Sequence, residues 1–269
     1  MHSQTYRLGF IGAGKLAGSV IRGLLLREVV TPQEIIASQP VPEFAEELRC
    51  ETGISVVPGN EEVVATAEVI FIGVKPSVVL PVIEECAASL AGKLVISLAA
   101  GIRLESMEAK AGARFMRAMT NIPSAIGRGA TAVAAGSRTT PADIERVLGM
   151  FNAIGAAVET EERHIDAVTA LAGSGPAFVY TVIEALARGA EAEGMPHDVA
   201  LTLATQTVLG AAQFAAESGS TPEELRKMVI TPGGTTAAGL AAMEKLRTSE
   251  GLIAAVQAAA ARGREMSAS

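Results

Sequence analysis

The sequence predicts a doubly wound, mostly parallel α/β domain over residues 1–162, followed by an all-α domain over residues 163–269. Two observations predict it. Up to about residue 160, short and nearly continuous apolar runs alternate with helical patterns, as strands buried on both faces alternate with crossover helices. Beyond Arg163 that alternation stops, and long Ala-rich stretches of helical period, interrupted by Gly and Pro, take over.

Taken in order, residues 7–11 form an apolar strand that breaks at glycines and leads into a helix over residues 15–26. Residues 34–38, 69–74, 94–98, 114–119 and 131–135 are the further strands; residues 41–50 and 80–90 have helical period between them. In the second half, residues 175–193, 196–218 and 249–266 are predicted helices. Their punctuation is "GSGP" (173–176), "GMP" (194–196), "SGSTP" (218–222) and "TPGG" (231–234). Small residues, as in "LGAAQFAAE" (209–217), let helices approach closely, which suits pairing between subunits as well as packing within one chain.

Composition removes several functions. With 49% hydrophobic and 19% charged residues the chain is globular, and its net charge of -7 disfavours nucleic acid and anionic membrane as partners. Aromatics make up 3% with no Trp, so base-stacking platforms are not expected. No apolar run reaches the length of a membrane span, and "MHSQTYR" lacks the core of a signal peptide. A cytoplasmic protein is expected, with Cys50 and Cys86 reduced and packed rather than bridged. His2, His164 and His197 are scattered without metal-ligand spacing, so no metal is expected.

Gly12, Gly14 and Ala17 spell G-x-G-x-x-A between a strand and a helix. The first glycine permits the tight turn, the second lets a pyrophosphate approach the backbone, and the small third residue lets helix and strand pack closely. Gly12, Ala13, Gly14, Lys15 and Leu16 are therefore candidate cofactor contacts, with the helix N-terminus facing the phosphates. At the end of the second strand, where an NAD enzyme usually carries a carboxylate, stand Ser38 and Gln39. Both can donate to a 2′-phosphate, which favours NADPH; no Arg lies in that loop, which leaves NADH open, and a plain turn before Pro40 is the alternative. Val74, Lys75 and Pro76, and Ala99 and Ala100, follow later strands where doubly wound folds place ligands, although Lys75 could equally be a solvated loop lysine. Asn121 is suited to a cofactor or substrate contact, or to an Asx turn before Pro123.

A second constellation lies in the helical half. "VITPGGTTAAGL" runs from Val229, and Thr231, Gly233, Gly234, Thr235 and Thr236 precede a helical pattern. Such a turn offers backbone N–H groups and hydroxyls to a small anion such as a carboxylate; helix capping by Thr235 or Thr236 is the alternative.

These residues together resemble the pyrroline-5-carboxylate reductases over nearly the whole chain. The matching stretches include "GFIGAGKLAGSV" (9–20), "ASQP" (37–40), "VKP" (74–76), "AAGI" (99–102), "RAMTNIPSAIG" (117–127), "DAVTALAGSGPAF" (166–178), "TLATQTVLGAA" (202–212) and "TPGGTTAAGL" (231–240). "GSGPA" and "PGGTT", in that order within a helical half, are the specific ones. The resemblance implies an α/β Rossmann-type dinucleotide-binding domain followed by an all-α dimerisation domain. It implies reduction of the C=N bond of 1-pyrroline-5-carboxylate to L-proline, the last step of proline biosynthesis, by NADPH or NADH. It further implies a homodimer assembling into a decamer, with the active site where the nucleotide domain of one subunit meets helices of the dimer.

Carried over by position, backbone N–H groups of Gly234, Thr235 and Thr236 hold the substrate carboxylate, and Val229, Thr231 and Gly233 belong to the same site. The Thr236 hydroxyl meets the ring nitrogen and is the candidate catalytic group. Asn60 contacts the adenosine portion, and Ala99 and Ala100 lie beside the nicotinamide. A cyclic imine can be protonated near neutral pH, so the lack of an obvious acid fits this reaction better than carbonyl reduction. The chain departs from the family at Ile122, Ala172, Phe178 and Ile230, of which Ile230 could reshape the substrate pocket. Two rival readings are a reductase of other imines or β-hydroxy acids, and a nucleotide-binding regulator without catalysis. Residues 176–194 lack the lysine that β-hydroxy acid dehydrogenases use, and the whole "TPGGTT" turn argues against lost catalysis.

Overall fold

A computed structural model of the chain describes residues 5–268; His2 lies outside them. The chain divides into two compact units, one formed by residues up to Ser174 together with those from Ala259 onward, the other by Gly175–Ala258. By packing, residues 163–174 thus belong with the α/β unit.

The first unit is an eight-stranded sheet. Its strands are β1 Tyr6–Ile11, β2 Ile35–Ser38, β3 Ser55–Val57, β4 Ala67–Ile72, β5 Leu94–Ser97, β6 Arg114–Met119, β7 Gly129–Ala135 and β8 Gly155–Glu159. The spatial order is β3-β2-β1-β4-β5-β6-β7-β8. The first six are parallel; β7 pairs antiparallel with β6, and β8 runs parallel to β7. The order of those six is that of a doubly wound dinucleotide-binding sheet. Six of the eight strands match the sequence expectation. The unforeseen two, β3 and β8, sit at the edges: one is three residues long, and the other reads "GAAVE", with little β propensity.

Helices cover both faces. On one, α1 Lys15–Leu26, α2 Pro42–Thr52 and α7 Pro141–Ala153 bury Val20, Ile21, Leu24, Leu48, Val147 and Phe151 against Leu8, Phe10, Phe71 and Ile96. Phe10 and Phe71 stack there with ring centroids 4.7 Å apart. On the other face, α3 Asn60–Thr66, α4 Pro76–Glu85, α5 Ala87–Leu90 and α6 Leu104–Glu108 cover Ile11, Ile70, Ile72 and Val95. Successive strand residues therefore enter opposite cores, which is why these strands are apolar throughout. The helix expected over 80–90 starts earlier, because Pro76 at its first position presets a helical φ, and it is interrupted at Cys86.

Backbone bonds align the strand ends that matter. Gly73 N–H donates to Ile11 O at 2.8 Å, and Leu98 N–H to Ile72 O at 2.9 Å. The segments following β1, β4 and β5 thus leave the sheet side by side.

The second unit is helical: α9 Gly175–Ala192, α10 His197–Glu217, α11 Pro222–Met228, α12 Thr235–Lys245 and the larger part of α13 Thr248–Ala268. (The short α8, Ile165–Val168, precedes it.) α9 and α10 meet through Ala187, Ala200 and Ala204, small residues that permit close approach. Outside that seam large apolar side chains are open to solvent, among them Tyr180, Leu209 and Phe214. Two stretches, Glu162–Ala192 and His197–Glu217, reach the length and mean hydropathy, 1.3, of a membrane span. This corrects the expectation that none does. Ala, Val and Leu raise the mean while the Thr, Ser and Gly between them barely lower it, so the sum passes without a continuous apolar run.

Candidate cofactor and substrate sites

The glycine turn after β1 has the geometry its pattern requires. Gly12 has φ +79°, and a Cβ there would lie 2.5 Å from Val74 Cγ1, so conformation and space both demand glycine. Ala17 is fully buried, and Gly73 passes so close that a Cβ on it would fall 2.6 Å from the Ala17 Cβ. Gly14 differs from both. It is the N-cap of α1 with φ -72°, and beyond its chain neighbours no atom lies within 4 Å of where its Cβ would be. No side chain caps α1 and no acid occupies its first turn. The N–H groups that open this helix therefore face open space with a positive dipole end. The cradle fits a pyrophosphate.

At the end of β2 the structure redistributes the roles. Ser38 is 1% exposed. Its hydroxyl accepts from Gly12 N–H at 3.2 Å and donates to Asn60 Oδ1 at 2.7 Å. Ser38 thus ties the glycine turn to the start of α3, and with Asn60 Oδ1 taken, the Asn60 Nδ2 remains to donate. Gln39 is half-buried, its Oε1 accepts from Val41 N–H at 3.2 Å, and its amide N–H groups remain to donate. Gln39 lines a cleft of about 440 Å³ with Ala13, Gly14 and Lys15, joined there by Arg22 and Phe44. Four residues singled out in the sequence are therefore brought together.

A charge test of the 2′ position belongs at Gln39, because a carboxylate at 38 would be buried against Asn60. Gln39→Asp is expected to weaken NADPH about tenfold more than NADH, the effect of ~1.4 kcal/mol of selective repulsion. Ser38→Ala, which loosens the turn itself, weakens both alike. Fluorescence titration of each dinucleotide reads this out; equal losses for Gln39→Asp would remove Gln39 from the 2′-phosphate.

Val74 packs on Gly12, as its 2.5 Å approach to a Cβ there shows. Lys75 is exposed at the N-cap of α4, and Pro76 follows it. Ala99 is nearly buried after β5, with Ala100 half-buried beside it. Asn121 is turned inward: its Nδ2 donates to Ala172 O and its Oδ1 accepts from Ala130 N–H, both at 3.1 Å. It is 7% exposed and fastens its own loop. Cys50 is exposed and Cys86 buried, both free, and no metal-like cluster occurs among the described residues.

In the second unit, the turn from Thr231 leads directly into α12. Gly233 has φ +71°, and Gly234 N–H donates to Thr231 O at 3.0 Å. A Cβ on Gly234 would lie 2.3 Å from Thr231 Oγ1, so both glycines are required by the turn. Gly234 is the N-cap of α12, without a side-chain cap and with no acid in the first turn. Thr235 and Thr236 are the first helical residues and not its caps, which disfavours the plain capping reading. Gly234 N–H closes the turn, so the groups left for an anion are those of Thr235 and Thr236. Val229 is exposed and Ile230 half-buried next to this turn.

Comparison with known proteins gives one consistent result. Residues 162–266 match the family described as pyrroline-5-carboxylate reductase dimerisation, and residues 7–101 the family described as NADP oxidoreductase, coenzyme F420-dependent. A pyrroline-5-carboxylate reductase of Methanosarcina acetivorans is 40% identical over 266 residues, covering 98% of each chain. Among solved structures, a pyrroline-5-carboxylate reductase from Coxiella burnetii has a TM-score of 0.90 and 32% identity over 98% of this chain and 99% of that one. A Plasmodium falciparum pyrroline carboxylate reductase with NADP bound has a TM-score of 0.88 and 26% identity, covering 98% and 99%.

Proposed function

The chain belongs to the pyrroline-5-carboxylate reductase family, and from that premise we propose which of its residues carry the reaction. The activity is reduction of the C=N bond of 1-pyrroline-5-carboxylate to L-proline by an NAD(P)H-dependent oxidoreductase, in proline biosynthesis. The observation that carries the assignment of residues is the uncapped start of α12, with no acid in its first turn and the Thr231–Gly234 turn ahead of it.

When bound, NADPH supplies the hydride. In our reading Gly12, Ala13, Gly14, Lys15 and Leu16 hold its pyrophosphate at the start of α1. Gln39 and the Asn60 Nδ2 donate to the adenosine side, supported by Ser38. Val74, Lys75, Pro76, Ala99 and Ala100 border the remainder of the dinucleotide.

Thr235 and Thr236 N–H groups bind the substrate carboxylate at the helix N-terminus. Gly233, Gly234 and Thr231 shape that turn, while Val229 flanks it. The Thr236 hydroxyl orients the ring nitrogen. Protonation makes the imine carbon electrophilic, so the protein's work is positioning and charge complementarity rather than strong acid catalysis. NADPH oxidation measured with 1-pyrroline-5-carboxylate beside other cyclic imines and β-keto acids tests this. Turnover is expected with the pyrroline carboxylate, and loss of the carboxylate from the imine should remove most of it. Equal turnover of a carboxylate-free imine would take the α12 turn out of substrate binding.

Association through the helical unit is a property of the family, and its exposed apolar side chains need a partner. We extend this to a homodimer that assembles into a decamer. Sedimentation equilibrium at about ten chain masses supports the extension, and a dimer alone refutes it. A cytoplasmic location belongs to the same reading, supported by two free cysteines.

A further inference from the structure

The loop between β5 and α6 carries Ala99 and Ala100, which border the nicotinamide end of the dinucleotide in the proposed cofactor site. Its start is fixed to the sheet. Leu98 N–H donates to Ile72 O at 2.9 Å, and Ala99 N–H to Ser97 Oγ at 3.3 Å. From Ala100 to Arg103 no backbone N–H donates to another described residue. Gly101, in the middle, has φ +78°, and a Cβ there would lie 3.3 Å from the Met266 carbonyl oxygen. The next donor is Leu104 N–H, at the first residue of α6. Its acceptor comes from 58 residues away: Glu162 Oε1, at 2.7 Å. Arg103, the N-cap of α6, makes no side-chain cap bond, so Glu162 satisfies a helix-start donor that α6 leaves open.

Glu162 is itself held. Arg117 on β6 is 3% exposed, and its Nη1 donates to the same Glu162 oxygen at 3.0 Å. Arg117 Nε and Nη2 are buried without an acceptor among the described residues, so Glu162 is the one carboxylate on this guanidinium. Moving Glu162 away would leave a buried charge unpaired, which is strongly unfavourable. Ser97 and Arg117 are register partners across β5 and β6. Both ends of the loop therefore refer to one rung of the sheet: Ser97 takes Ala99 N–H directly, and Arg117 takes Leu104 N–H through Glu162.

Resting on that assignment of the loop, we propose that Glu162 is a positioning residue for the reduction. Held by Arg117, it fixes the far end of the loop and so sets Ala99 and Ala100 against the nicotinamide.

The test compares Glu162→Ala, Glu162→Gln and the double variant Arg117→Met/Glu162→Ala in the full chain. Steady-state kinetics with 1-pyrroline-5-carboxylate and NADPH is read beside competition titration with adenosine 2′,5′-bisphosphate, which carries no nicotinamide. Glu162→Ala is expected to lower kcat about tenfold through a small displacement of the loop, with KM for the imine and bisphosphate affinity at the parent values. Glu162→Gln keeps an oxygen for both donors and recovers most of the rate. Glu162→Ala also strands the Arg117 charge and melts earlier. The double variant removes that charge and regains the melting temperature, yet keeps the low kcat because the Leu104 anchor is still missing. Parent kcat in Glu162→Ala overturns the proposal. So does a double variant whose kcat recovers with its melting temperature, since the defect would then be the unpaired arginine, and so does a Glu162→Gln variant as slow as alanine. Ala100→Leu tests the loop assignment separately: it should weaken NADPH and spare the bisphosphate. If it changes neither, the loop does not border the nicotinamide. If it weakens NADPH while Glu162→Ala matches the parent, the positioning role alone fails.

Discussion

Gly14→Val weakens NADPH about a hundredfold and costs the fold only the ~0.5–1 kcal/mol of an apolar N-cap. Few glycines separate the two properties so cleanly. Gly14 has an ordinary extended backbone, φ -72° and ψ -167°, which any residue adopts. Beyond its chain neighbours, no atom lies within 4 Å of the position its Cβ would take, so the added side chain starts into open space. It does occupy the space in front of the N–H groups that open α1. Pushing a pyrophosphate off one or two of those charge-assisted hydrogen bonds costs about 1.5–3 kcal/mol each, which is the hundredfold.

Gly12 is the control. With φ +79° and Val74 Cγ1 2.5 Å from a Cβ, Gly12→Ala strains the turn by about 1–3 kcal/mol and lowers the melting temperature. Calorimetric melting beside fluorescence titration of NADPH distinguishes the two. If Gly14→Val binds NADPH normally, the start of α1 is not the phosphate site. If it melts as early as Gly12→Ala, the open space is filled in solution.

The contrast between these glycines also marks what could be read from the sequence. The G-x-G-x-x-A turn was legible because its requirements are local: a positive φ, an open approach and a small packing residue within one strand-turn-helix. The central strands were legible because burial on both faces makes them apolar throughout. β3 and β8 were not: β3 is three residues long, too short to show a pattern, and "GAAVE" has a single β-branched residue.

Roles that depend on distant partners were the least visible. Ser38 could be placed at the end of β2, but only the fold brings Asn60 against its hydroxyl, which occupies Ser38 and leaves the amide N–H groups of Asn60 and Gln39 to donate. Asn121 sits in a motif shared with the family, yet Ala130 and Ala172 claim its amide. Arg117 gave no sequence signal at all. An arginine in an apolar strand becomes informative only once Glu162 is seen to join it to the start of α6.

Thr236→Ala lowers kcat/KM for 1-pyrroline-5-carboxylate about a hundredfold, while NADPH affinity and melting temperature stay at the parent values. Stability is retained because Thr236 stands inside the first turn of α12, where Gly234 is the cap and no side-chain cap bond exists to be lost. Alanine is also the better helix former there. The Thr236 hydroxyl makes no hydrogen bond to another described residue, so its removal strips no partner within the protein. What is lost, in the proposed site, is the hydroxyl assigned to the ring nitrogen beside the N–H groups assigned to the carboxylate.

Misorientation of a bound substrate without loss of its anchor appears mainly in kcat, with KM changed little. Thr236→Ser keeps the hydroxyl and should recover most of the rate, whereas Thr236→Val matches the shape without it and should behave like alanine. Gly234→Ala fails differently: its Cβ would lie 2.3 Å from Thr231 Oγ1, the turn opens, and KM rises as the carboxylate site is lost. Steady-state kinetics on the four variants separates orientation from anchoring. Unchanged kcat in Thr236→Ala would assign the reaction to the backbone of the turn alone.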